Sequence, residues 1–539
     1  MSVRARRAAA LTASVLAAAL LTPGAAQAAA RPLSHPGNEN VASRPSLSTQ
    51  VTHATVTARS HGLTAALTPV SPRGSGLSID LDASTSRTAV PGAHVTGYRF
   101  SFGDGRTATG DSSRAAHRYA RPGTYTVAVT VTDSTGHSAT VDSTIEIAGS
   151  DFTPVAPTRI LDTRSGLGAA KAKLTTTTSV HIPITGVDGI PADATGVVLS
   201  LIAVDTVENG AVTCYPDATT EPGVSNLNFG GNQTIDNLIT VPVPADGAID
   251  CALSGDSGSS ADLIGDLEGY YSSGSSSSYV AIQPGRILDT RTGLNTAKTK
   301  LANGHSLTLT VAGATATTST SSTATTTETL PTSAITAVAL NISTTDTSGN
   351  GVLTAFPDGS GSPTGNVLNY FSANTDSNPA VVPVGADGKI DISSIGTEAS
   401  TTDVFADIEG YYTTGAGGAV YVPAAAITRI LDTRSAAGGA VIAGDYRNLT
   451  GLTTADGVTA YVLNATITQP TANGNLCVFP TGSINPLDVA ASNINYGNGE
   501  TIAKFVQATA GSTGTSFFND ATSGSTQLLV DEFGYFTTQ

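Results

Sequence analysis

Hydrophobic and polar residues alternate with a period of two through much of this chain. Leu77, Ile79 and Leu81 alternate with Ser78, Asp80 and Asp82, and Tyr125, Val127, Val129 and Val131 alternate with Thr124, Thr126, Thr130 and Thr132. Further on, Val197, Leu199 and Leu201 face one way and Val198, Ser200 and Ile202 the other. A two-residue period sends successive side chains to opposite faces of a pleated strand, so each run reads as a half-buried β-strand. Runs with the 3.6-residue period of a helix are nearly absent. β-Branched residues are abundant, and 57 glycines and 26 prolines punctuate the runs. The pattern predicts an all-β chain of tandem β-sandwich domains.

The tandem arrangement follows from two phrases. Arg-Ile-Leu-Asp-Thr-Arg occurs at Arg159–Arg164, Arg286–Arg291 and Arg429–Arg434. Roughly a hundred residues after each comes Asp-x-x-Gly-Tyr-aromatic, at Asp266–Tyr271, Asp407–Tyr412 and Asp531–Phe536. A module of this length exceeds the roughly 20–50 residues of solenoid repeats and matches a whole domain used three times. The expected boundaries are 150–272, 278–415 and 419–539, each a sandwich of about seven to ten strands. The Gly/Ser-rich connections Ser272–Ser278 and Gly415–Gly418 are expected to be flexible. The Thr/Ser run from Thr315 to Thr329 is expected to be a disordered loop insertion.

Upstream, residues 63–149 form a further β domain, and 31–62 read as a polar linker. Residues 1–30 read as a signal peptide. Arg4, Arg6 and Arg7 precede an apolar stretch from Ala8 to Leu21 that is too short to span a bilayer, and Ala26-Gln27-Ala28 fits small-residue cleavage. The expected localisation is secreted, extracellular or loosely associated with the cell surface. A formal net charge of −16 repels nucleic acid and anionic lipid, so neither nucleic-acid binding nor membrane insertion is expected. Of the three cysteines, Cys214 and Cys251 lie in strand-like segments of the first repeat and are expected to form a disulfide; Cys477 is expected to be a buried free thiol.

Residues 98–133 carry a resemblance. Tyr98-Arg99-Phe100-Ser101-Phe102-Gly103-Asp104-Gly105 resembles the first signature of PKD domains. His117-Arg118-Tyr119-Ala120-Arg121-Pro122-Gly123-Thr124-Tyr125-Thr126-Val127, followed by Val131-Thr132-Asp133, resembles the second. The resemblance implies a seven-stranded, immunoglobulin-like sandwich that serves extracellular proteins as a spacer or as a contact module for polysaccharide or protein. Phe100 stands where the family prefers Trp, and Ser101 where it prefers Asp. Residues 150–539 are similar to the "RILDTR" surface repeats of secreted proteins from actinobacteria and other bacteria. That similarity includes Asn226-Leu227-Asn228-Phe229, Val367-Leu368-Asn369-Tyr370 and Asn493-Ile494-Asn495-Tyr496, and it implies an architecture without an activity. The fold class is thus one PKD-like sandwich followed by three repeated β-sandwiches.

Candidate chemistry concentrates in the repeated phrases. In an extended strand Asp162 and Arg164 share a face, as do Asp289 with Arg291 and Asp432 with Arg434. Asp266, Asp407 and Asp531 precede the Gly-Tyr corner at the far end of each repeat. One reading makes these nine residues three ligand sites. The preferred reading is a structural clamp, in which the Asp-Thr-Arg arginine bridges to the late aspartate and pins the first strand to the last. Asp266 with Glu268, and Asp407 with Glu409, have spacing that would suit two-carboxylate hydrolysis. The third repeat breaks this with Phe533, and the chain has no Trp to line a sugar cleft. No Gly-x-Ser-x-Gly elbow accompanies a histidine and acid, and no histidine pair has metal-ligand spacing. The chain is therefore expected not to be an enzyme. Calcium is the single cofactor considered, with Asp104 and Asp133 as its ligands against a turn-forming role for both. The functional expectation is adhesion at the cell surface through the PKD-like and repeat modules, with an extracellular polysaccharide or surface protein as partner. The alternative is a carbohydrate-binding accessory of a polysaccharide-degrading system.

Overall fold

The structure, a computed structural model, describes residues 50–539 except 53, 73–76, 120, 148, 321–324, 416, 436–438, 450–451, 453–456, 483–490 and 539. The expected signal peptide at 1–30, and residues 31–49 of the expected linker, lie outside the described residues. Among the described residues every regular element is a strand, and all pairings are antiparallel.

The first sandwich begins earlier than the sequence reading placed it. Gln50–Thr52 and Val56–Ser60 both pair with Leu63–Pro72, so the end of the expected linker belongs to the domain. Six strands form one sheet and four the other. Their alternating apolar residues, among them Ile79, Leu81, Phe100, Val127, Val129 and Val131, meet in a single core. Phe100, at the position where tryptophan was expected, is fully part of it.

Each repeat folds into two sheets of the same strand order. In the first repeat, Asp151–Asp162 pairs with Ser260–Ser272, which pairs with Gly196–Val207, which pairs with Ile235–Pro242. The opening strand of the repeat thus lies against its closing strand. A second sheet of four strands covers one face. The other two repeats reproduce both sheets. The described residues of Thr315–Thr329 in the second repeat form strands instead of the expected loop insertion, and 321–324 lie outside the described residues. Thr315–Thr320 and Thr325–Thr329 pair as a hairpin that extends the sheet beyond its opening strand, through Arg286 opposite Thr317. Threonine is a strand former, and a polar run of it still suits a solvent-facing ladder.

The repeats are not strung out like beads. Each main sheet is buried on both faces. Val197, Leu199 and Leu201 enter the repeat's own core, whereas Val198 enters a further core assembled from all three repeats. Ala337, Ala339, Ala460 and Val462 join it from the other two. At its centre stand six rings: Phe152, Tyr279 and Tyr421 from the opening strands, and Tyr271, Tyr412 and Phe536 from the closing strands.

The ring contacts run in a circle. Phe152 packs on its own repeat's Tyr271 and on Tyr412 of the second repeat, Tyr279 on its own Tyr412 and on Phe536 of the third, and Tyr421 on its own Phe536 and on Tyr271 of the first. Each buried ring contributes roughly 1.5–3 kcal/mol. Backbone bridges follow the same circle, joining Phe152 to Ser277, Tyr279 to Ala419 and Tyr421 to Ser150. The segment 272–278, expected to be flexible, is drawn into this junction, with Ser272, Ser275, Ser277 and Ser278 all buried.

The glycine of the Asp-x-x-Gly-Tyr phrase has its reason here. A Cβ on Gly269 would lie 2.1 Å from the Phe152 ring, and one on Gly410 would lie 2.3 Å from the Tyr279 hydroxyl. The opening-strand aromatic lies flat on backbone that no side chain can cover.

Candidate functional site

Two features could carry function: the charged seams between repeats, and a cavity where the three repeats meet. The seams come from the repeated phrases. Arg159 stands opposite Asp266 in the strand ladder, Arg286 opposite Asp407, and Arg429 opposite Asp531. In each pair Nε and Nη2 of the arginine donate to the two carboxylate oxygens, for example at 2.9 and 3.1 Å from Arg159 to Asp266.

This corrects the residue assigned to the clamp. The gripping arginine is the first of Arg-Ile-Leu-Asp-Thr-Arg and not the last. The opening strand ends at the aspartate of the phrase, and the chain then turns. Arg164, Arg291 and Arg434 fold back within that turn onto Asp162, Asp289 and Asp432, with Nη2 2.7, 2.7 and 2.6 Å from the carboxylate. They do not reach Asp266, Asp407 or Asp531. The side chain of Arg291 is 39% exposed against 18% for Arg286. Only in the second repeat do the two sets touch, where Arg286 Nη1 also donates to Asp289 at 3.1 Å. The intervening threonine ties the turn to the closing strand: Thr163 Oγ1 donates to Asp262 and accepts from the Leu263 amide.

The late aspartates also reach across the seams. Asp266 Oδ2 accepts from the Asn366 amide of the second repeat at 2.8 Å. Asp407 Oδ2 accepts from Ser492 of the third at 2.9 Å, and Asp531 Oδ2 from Ser225 of the first at 3.5 Å. Glu268 and Glu409, the other halves of the carboxylate pairs, are used in the same way. Glu268 accepts from the Val381 amide at 2.6 Å, and Glu409 from the Gln507 amide at 2.9 Å and from Asn493 Nδ2. Both are buried, and burial pushes the Glu409 carboxyl up to about 7. Phe533 fills this place in the third repeat and packs into the shared core instead. These side chains face neighbouring backbone and not solvent, so the carboxylate pairs hold the repeats together.

The cavity is different in character. It has a volume of about 770 Å³ and is lined by all three repeats. Asn232, Gln233 and Asp236 come from the first repeat, Asn369, Phe371, Asn374 and Asp376 from the second, and Asn473, Asn475, Asn495, Tyr496 and Glu500 from the third. Amides and carboxyls predominate, with two aromatic rings among them. Burial pushes Asp376 up to about 6. At one wall Asp236 Oδ2 accepts from the Asn369 amide and Nδ2, at 2.6 and 3.0 Å. Such a wall offers many neutral donors and acceptors, which suits hydroxyl-rich ligands.

Sequence reasoning missed this site. One signal was present: Lys504 interrupts an otherwise uncharged strand, Ile502–Thr509, at the place where the first two repeats have Asn237 and Asn378.

The calcium candidates are separated and engaged. Asp104 accepts from the Arg106 amide at 3.0 Å and pairs with His117 Nε2 at 2.7 Å. Asp133 Oδ1 accepts from the Thr135 amide and hydroxyl and from the His137 amide, a turn-forming role that holds its carboxyl down at about 2. The group of three potential ligand side chains found among the described residues is His181, Asp217 and Asp250, which includes neither. Cys214 and Cys251 stand opposite each other in the ladder and form the disulfide. Cys477 is buried, and its burial raises the thiol well above its ordinary range. No helix of the described residues is long and apolar enough to cross a membrane.

Residues 64–148 match the family model of the PKD domain. The PKD1 domain from Vibrio cholerae metalloprotease PrtV is 33% identical over an alignment covering 13% of this chain and 83% of that one, with a TM-score of 0.12. The PKD1 domain of Vibrio anguillarum Epp is 22% identical, covering 19% of this chain and 94% of that one, with a TM-score of 0.13. A structure of carbohydrate-binding modules from the β-sandwich super family is 13% identical, covering 42% of this chain and 98% of that one, with a TM-score of 0.13. Among curated proteins none matches.

Proposed function

We propose that this chain, a PKD domain joined to three like sandwiches closed into a ring, is an extracellular, non-enzymatic binding protein that attaches to polysaccharide at the cell surface or in the surrounding matrix. The observation that carries the reading is the cavity where the repeats meet. Its asparagine-rich wall offers hydrogen bonds to sugar hydroxyls, and the half-buried Phe371 ring offers an apolar face to a sugar ring. The carboxylates that could otherwise support hydrolysis are occupied in holding the repeats together. The PKD domain favours an extracellular setting, where it would serve as spacer.

The test is a pull-down of the full chain on cellulose, chitin and peptidoglycan, repeated with Asn374→Ala combined with Asn473→Ala. Both asparagines are exposed on the cavity rim. The reading expects saturable binding to one polymer and its loss in the variant at unchanged melting temperature. Absence of binding to all three, or full binding by the variant, overturns the cavity as the contact site.

A further inference from the structure

Lys504 is buried to 2% exposure, beside Asn378 at 0% and Asp236 at 4%. The three come from three different repeats. Lys504 Nζ lies 2.9 Å from Asn378 Oδ1, 3.2 Å from Asp236 Oδ1 and 2.6 Å from the Asp236 carbonyl oxygen. Asn378 Nδ2 donates to the Val367 carbonyl at 2.8 Å, which fixes the amide with its oxygen towards the lysine. Burial disfavours the ammonium form and lowers the Lys504 pKa, against the pull of Asp236. A desolvated amine, an oriented carboxamide and a carboxylate within reach of the amine are thus held together among buried groups.

We propose that Lys504 and Asn378 become joined by an amide bond between Nζ and Cγ, with Asp236 carrying the proton. Asp236 takes a proton from the Lys504 ammonium, and the neutral amine adds to Cγ of Asn378. The attacking nitrogen passes its second proton to the former Nδ2 as the tetrahedral centre collapses, ammonia leaves, and the first proton stays on Asp236. One N–C bond forms, one C–N bond breaks, and no oxidant or external reagent is needed. Holding the amine and amide in contact supplies the proximity that makes such an exchange accessible to an otherwise inert amide. The cavity described above borders both Asp236 and Lys504 and gives ammonia a way out. The bond would tie the third repeat to the second with a residue of the first as its helper, so it forms only once the ring has closed. The neighbouring repeats place Asn237 and Asn378 where the third has Lys504, and only this substitution puts an amine into the ring.

The experiment is mass spectrometry of the full chain with its disulfide reduced, before and after tryptic digestion. The expected result is a branched peptide linking Lys504 to Asn378, lighter by about 17 Da than its two linear parts, and no cleavage after Lys504. Lys504→Arg and Asp236→Asn are expected to give only linear peptides. Unmodified linear peptides bearing Lys504 and Asn378 from the folded wild-type chain overturn the proposal whatever the variants do. A branched peptide that persists in Asp236→Asn overturns the role given to Asp236.

Discussion

Arg286 stands directly opposite Asp407 in the second repeat, and its guanidinium grips both oxygens of that carboxylate. The same carboxylate accepts from the Ser492 amide of the third repeat, so one aspartate closes its own sandwich and joins it to the next. The arrangement recurs at Asp266 and Asp531, and the last of these returns to the first repeat.

The two arginines of the phrase should therefore differ in weight. Arg286→Ala leaves Asp407 buried without its partner and is expected to cost roughly 3–5 kcal/mol. Arg291→Ala removes a partly exposed guanidinium from Asp289, which keeps its bond from Arg286, and is expected to cost less, about 0–1 kcal/mol. Urea unfolding of both variants checks this. A larger loss for Arg291→Ala than for Arg286→Ala contradicts it.

The sequence made strands, the PKD signatures and the disulfide legible, because alternation, short signature phrases and cysteine placement are local properties. It did not reveal the ring. Val197 and Val198 are both apolar because both faces of their strand are buried, whereas alternation by itself implies one core face and one solvent face. As one extended strand the phrase puts the clamp on Arg164 and its counterparts; the turn after Asp162 hands that role to Arg159. The cavity depends on which repeats meet, which no local pattern encodes.

Stability should depend on pH through Glu409. Burial raises its folded carboxyl to about 7 from an ordinary 4.5, so the folded chain holds this proton more tightly than the unfolded one. Its contribution is present in full below the unfolded value and is lost as pH rises through the folded one. The wild-type melting temperature is expected to fall relative to that of Glu409→Gln between about pH 5 and pH 8. A rise over the same range contradicts the assignment.

Residues 278–415 expressed alone would expose Tyr279, Tyr412, Ala337, Ala339 and Val381, all buried in the shared core. An apolar face of this kind drives association. The fragment is expected to elute from gel filtration as a self-associated species with β-type circular dichroism. A monomer as stable as the full chain would show that the shared core contributes nothing.

Cysteine chemistry should follow burial. In the folded, unreduced chain no thiol is expected to react with a maleimide, since Cys214 and Cys251 are joined and Cys477 is buried. After unfolding without reductant a single label is expected, on Cys477. Replacing Cys214 and Cys251 by alanine is expected to cost roughly 2–5 kcal/mol.

Small-angle scattering from residues 150–539 tests most directly whether the three repeats close on one another. A single compact body of this length has a radius of gyration of about 21 Å. The closed ring predicts a value near this. Three sandwiches strung in a row, each compact by the same scaling, would give about 28 Å or more, and that result would contradict the shared core and every seam described here.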